Sequence, residues 1–120
     1  MAWAAGAAGS PPSHLGATPG GANQMTWNAQ LVAALLAGEH DPGRLVTGPR
    51  WEWLPDGDGV RLERDLPDDV RAAVVAAAGH VEEVDRWGLR CAQQVALRPE
   101  PGSARVAAVD PRTGGQVAPA

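Results

Sequence analysis

Apolar residues in this chain recur at two spacings, four and two, and the switches between them divide it into elements. From Thr26 the stretch TWNAQLVAALLAG places Trp27, Leu31 and Leu35 four apart, the repeat of one helix face. Thr26 is a capping residue type and Gly38 a natural stop, so a short helix is predicted from Thr26 to Ala37. EHDPGRLVTGP interrupts with two prolines and two glycines and reads as a loop.

RWEWLPDGDGVRLER then alternates with period two. With a turn at Asp56-Gly57, Trp53 faces Val60 and Trp51 faces Leu62 on one side of a hairpin. Glu52 meets Arg61 and Arg50 meets Glu63 on the other. A slip of one residue would set Trp51 against Glu63 and Trp53 against Arg61, which fixes the register. The two aspartates of DGDG do not make a calcium loop. Such a loop needs an oxygen ligand, a glycine and a glutamate where Val60, Arg61 and Pro67 stand.

DLPDDVRAAVVAAAGHVEEVDRWG returns to helical spacing. Val70, Val74, Ala77, Val81 and Val84 make one stripe, and Asp68 and Asp69 suit the positive end of the helix dipole. One long helix from about Asp65 to Gly88 is therefore expected. LRCAQQVALRP and ARVAAVD alternate again across the turn signal PEPGS, a second hairpin, and DPRTGG is a further turn. The predicted order is α-β-β-α-β-β, a small α+β domain over residues 25–118 with helices packed on an antiparallel sheet. Residues 1–24 are mostly Ala, Gly, Pro and Ser with no apolar period, a composition expected to be disordered. Met25 stands where structure should begin, so the leader also reads as a mis-assigned start.

Composition refines this picture at a few points. The 120 residues contain ten arginines and no Lys, Phe, Tyr or Ile, a usage that suits a GC-rich bacterial genome. The net charge of −4 disfavours a general nucleic-acid binder. One cysteine excludes an internal disulfide and suits a reducing compartment. With no basic signal region and no apolar run of membrane length, a cytoplasmic location is expected.

Side chains for catalysis are few. Cys91 could pair with His40 or His80 as a thiol and imidazole, but it shares the parity of Leu89 and Val95 and reads as core. Glu39, His40 and Asp41 lack ligand spacing. No catalytic residue, metal or cofactor is assigned. Two surfaces stand out instead. Ala72, Ala76 and Gly79 form a small-residue face on the predicted long helix, open to close approach by a protein partner or a second copy. Arg90, Arg98 and Arg105 gather on the second hairpin and would take an anion, a nucleic acid or an acidic partner. The residues thus lead to the expectation of a small non-enzymatic protein that works by protein–protein contact, as a homodimer or accessory subunit. The alternatives are nucleic-acid or acidic-partner binding through the arginines, and a thiol or metal enzyme using Cys91 or the His40 loop.

Overall fold

A computed structural model describes residues 2–90, 93–97, 102 and 104–117. The class is α+β, as the spacing predicts. In chain order the elements are β1 (Ala2–Ala5), β2 (His14–Ala17), α1 (Gln24–Leu36), α2 (Pro42–Thr47), β3 (Trp51–Trp53), β4 (Gly59–Glu63), α3 (Asp68–Ala77), β5 (His80–Val84), β6 (Gln94–Leu97) and β7 (Val106–Val109). A 3-10 turn at Pro111–Thr113 follows. The predicted α-β-β-α-β-β order survives inside this longer one.

Two sheets result. The first is antiparallel with order β1-β2-β6-β7, and the second has order β3-β4-β5. In the first, Trp3, Gly16, Val95 and Ala108 form one cross-strand row. That row packs under α1 and α2 against Leu31, Leu35, Leu45 and Val46. Trp27, Leu31 and Leu35, the helix face read from the spacing, are all buried. In the second sheet the predicted hairpin register is met at every paired position: Trp51 with Leu62, Glu52 with Arg61, Trp53 with Val60. Val60, Leu62, Leu66 and Val74 form its core.

Three segments differ from the sequence reading. The predicted long helix ends at Ala77, and HVEEV becomes β5, pairing in parallel with β4. The free edge of β4 needs a hydrogen-bonding partner, and the β-branched Val81 and Val84 suit a strand as well as a helix stripe. Arg61 then pairs with Glu82 and Arg71 with Glu83, which fixes the strand's register. EHDPGRLVTGP is not all loop. Asp41 accepts from the Arg44 amide at 3.1 Å and Pro42 opens the short helix α2, a cap-and-proline start. Within residues 1–24, read as disordered, β1 and β2 pair with each other, and β2 continues the sheet onto β6.

A buried ion cluster joins the two sheets. Arg112 donates to both carboxylate oxygens of Glu63 on β4, at 2.8 and 2.6 Å, and to Asp110 at 2.9 Å. It also donates to the carbonyls of Val46 and Gly48 at the end of α2. All three charged side chains are fully buried. Among the described residues no helix is long and apolar enough to cross a membrane.

Candidate functional site

The loop from Thr18 to Asn23 carries β2 into α1. Gly20 and Gly21 take φ values of +122° and +108°, a backbone region open in practice to glycine alone. A Cβ built on either would meet nothing within 4 Å, so the loop faces open space. Among the described residues, no backbone carbonyl accepts from the amides of Gly20, Gly21 or Ala22. These residues precede Asn23, the N-cap of a thirteen-residue helix whose first turn contains no acidic side chain. By contrast α3 carries Asp68 and Asp69 in its first turn. The positive end of the α1 dipole is therefore left without a side-chain counter-charge, in the arrangement that favours a bound anion or a developing oxyanion.

The loop is held at both ends. On the β2 side Thr18 and Asn28 are buried. The Asn28 amide donates to Thr18 Oγ1 at 3.0 Å and to the Gln24 carbonyl at 2.7 Å, while Trp3 Nε1 donates to Asn28 Oδ1 at 2.9 Å. On the α1 side Asn23, at the N-cap position, caps nothing with its side chain. It makes two bonds to β3 instead, Asn23 Nδ2 to the Trp53 carbonyl and the Trp53 amide to Asn23 Oδ1, each 2.8 Å. Gln30, seven residues on, repeats the pairing with the amide and carbonyl of Trp51 at 3.1 and 2.8 Å. Two side-chain amides thus satisfy the open edge of β3 in place of another strand.

The residues singled out by sequence lie elsewhere. Ala72 and Ala76 are exposed on α3, and Gly79 lies past its end, so the three do not share a helix face. Arg90 and Arg105 are exposed, while Arg98 and Cys91 fall outside the described residues. Glu39 accepts from the Asp41 amide and Asp41 from that of Arg44, which gives both acids local roles beside His40. Among the described residues no three His, Cys, Asp or Glu side chains are placed to hold a metal. His80 opens β5 with its Nε2 3.8 Å from Glu82.

The family model of gamma-glutamyltranspeptidase matches residues 5–120, and the chain belongs to that family. Solved structures agree on the fold. A threonine-to-alanine mutant of the Helicobacter pylori gamma-glutamyltranspeptidase superposes with a TM-score of 0.72 at 16% identity, over 94% of this chain and 60% of that one. The Pseudomonas nitroreducens gamma-glutamyltranspeptidase complexed with L-DON gives 0.69 at 19%, over 100% and 61%. A cephalosporin acylase from Bacillus halodurans gives 0.70 at 26%, over 89% of this chain and 20% of that one. The chain therefore spans about 60% of the two transpeptidase chains. No curated protein matches it.

Family membership overturns the expectation of a non-enzymatic protein acting by protein–protein contact: the chain belongs to a family of enzymes. The reason for the misreading is physical. Nucleophilic, basic and metal-binding side chains are few in residues 1–120, whereas the candidate feature here is backbone. It also sits in a stretch set aside as a leader. The legible signal was Pro19-Gly20-Gly21 shortly ahead of the helical apolar period that begins at Trp27.

Proposed function

We propose that residues 18–23 form the oxygen-binding part of an acyl-transfer site, and that the acyl group it serves is a γ-glutamyl group held in amide linkage. The observation that carries this reading is the Gly20-Gly21 loop at an uncompensated helix N-terminus, in a chain of the gamma-glutamyltranspeptidase family. When a nucleophile adds to an amide carbonyl, the oxygen gains a full negative charge. Preorganised backbone amides and a helix dipole stabilise that charge without moving. The Trp3–Asn28–Thr18 chain and the Asn23–Trp53 pair supply the rigidity that such preorganisation needs. The names transpeptidase and acylase, carried by the structural relatives, both denote amide acyl chemistry and support the same reaction class. No nucleophile is assigned to residues 1–120.

The test is binding of γ-glutamyl-p-nitroanilide to the purified protein, followed by calorimetry. Saturable binding is expected. Gly21→Val should weaken it about tenfold or more, since a β-branched residue cannot hold this φ and the amides lose their placement. Absence of binding, or a Gly21→Val variant that binds as tightly as the parent, overturns the reading.

A further inference from the structure

His14 on β2 and His40 in the α1–α2 connection come together in space, with ring centroids 5.5 Å apart and ring planes at 35°. His14 is 7% exposed, and its tautomer follows from its neighbour. The Ser13 hydroxyl has one hydrogen, which it donates to the Ala5 carbonyl at 3.1 Å. Toward His14 Nδ1, 2.9 Å away, the same oxygen can then only accept, so Nδ1 carries the imidazole hydrogen. Nε2 is left with its lone pair, buried and without a hydrogen-bond partner. Burial first, then His40, lower the His14 pKa from 6.5, so no proton occupies that lone pair at neutral pH. His40 is exposed, and its loop is fastened on either side. The Glu39 amide donates to the Ala34 carbonyl at 3.1 Å, and the Asp41 amide to Glu39 Oε1 at 2.9 Å.

We propose that His14 and His40 bind one divalent late transition-metal ion, through Nε2 of His14 and a ring nitrogen of His40. Neutral imidazole is the ligand that suits zinc, nickel and copper. Two imidazoles bound to one tetrahedral ion at about 2.0–2.1 Å per nitrogen set their ring centroids about 5–6 Å apart, the separation found here. A polar oxygen that accepts from the other ring nitrogen, as Ser13 Oγ does, is the usual support of a metal-binding histidine. The exposed His40 ring can turn about its side-chain bonds and admit the ion. Among the described residues no third His, Cys, Asp or Glu completes the set. The remaining positions therefore go to water or to the oxygens of a small ligand, which makes the site open rather than closed. Once bound, the ion ties β2 to the α1–α2 connection. This site shares no residue with the glycine loop and stands independently of the acyl-transfer reading.

The probe is Zn²⁺, titrated into the purified protein at neutral pH and followed by calorimetry and by long-range ¹H–¹⁵N spectra of the histidine rings. One ion per chain is expected, with the His14 Nε2 resonance moved and the Nδ1 hydrogen retained. His40→Ala changes an exposed side chain and should leave the fold intact while weakening binding by about tenfold or more. The rise in urea midpoint that zinc gives the parent should disappear in the same variant. His80→Ala and Cys91→Ser should leave both readouts unchanged. Absence of saturable binding, or a His40→Ala variant that binds as tightly as the parent, overturns the proposal. So does a metal-free His14 ring protonated at Nε2 instead of Nδ1, or loss of binding in His80→Ala or Cys91→Ser.

Discussion

The three-stranded sheet has both faces furnished from within the chain, whereas the four-stranded sheet has only one. In the former, α3 covers Val60 and Leu62, and the opposite face carries Glu52, Arg61 and Glu82, with Arg61 bridging both acids at 3.3 and 2.8 Å. In the latter, α1 and α2 cover the Trp3–Val95 row, but the neighbouring rows present Ala2, Ala4, Leu15, Ala17, Ala107 and Val109. None of these positions is charged. Leu15 is 47% exposed, and a groove of about 390 Å³ runs between it, Val109 and Val117. A sheet with one apolar and one charged face announces itself by alternation. A sheet with no charged residue on either face loses that signal, and when it is rich in alanine and glycine it resembles low-complexity sequence.

The largest effect is expected where the two sheets are joined. Arg112→Met leaves the buried carboxylates of Glu63 and Asp110 without their cation, a loss of about 3–5 kcal/mol by urea unfolding. A loss below about 1 kcal/mol would mean that the sheets hold together without the cluster.

The next largest effect concerns the edge of β3. Asn23→Ala and Gln30→Ala each remove two hydrogen bonds to the Trp53 or Trp51 backbone, and each should cost about 1–2 kcal/mol. Hydrogen exchange should quicken at the Trp51 and Trp53 amides and stay slow along β6. Equal quickening in both sheets would show that the sheets do not open separately.

Legibility in the sequence follows the same division. The β3–β4 register was readable because Trp51, Trp53, Val60 and Leu62 contrast with Glu52 and Arg61 across one ribbon. The α1 face was readable because Trp27, Leu31 and Leu35 keep a period of four. β5 was not, because Val81 and Val84 extend the α3 stripe, and only the open edge of β4 converts them to a strand. β1 and β2 were not, because Ala2–Ala5 and His14–Ala17 gain strand character from pairing that no local pattern records. The candidate site was least legible of all. It consists of backbone amides, and a glycine names a conformation without naming a use.

A third contrast is in pH response, and its signs are opposite in the two sheets. His14 on β2 is buried with His40 at a ring distance of 5.5 Å, and burial first, then that second imidazole, hold its pKa below the ordinary 6.5. The unfolded chain then binds the proton more readily, so stability falls as pH drops from 6.5 through the depressed value. Glu52 on β3 has its pKa raised above 4.5, by burial first, against the opposing pull of Arg61. Here the folded chain binds the proton more readily, so stability rises as pH drops through the raised value toward 4.5. Relative to the parent, His14→Gln should gain stability as pH falls below 6.5. Glu52→Gln should gain it on the high side of its own window. Urea midpoints measured from pH 4 to 8 check both, and the same sign for the two variants would refute the assignment.

The smallest stability effect is expected at Leu15, and it bears most directly on the difference between the sheets. If the outer face of the four-stranded sheet is uncovered, Leu15→Glu places a carboxylate in water and should shift stability by no more than about 0.5 kcal/mol. The same change should lower the binding of an apolar fluorescent dye such as ANS, because it puts a charge on the groove formed with Val109 and Val117. Val60→Glu in the other sheet would instead bury a charge at a fully covered position and should lower the urea midpoint clearly. A large loss of stability from Leu15→Glu would mean that the alanine-rich face is packed in solution, and the asymmetry between the two sheets would vanish.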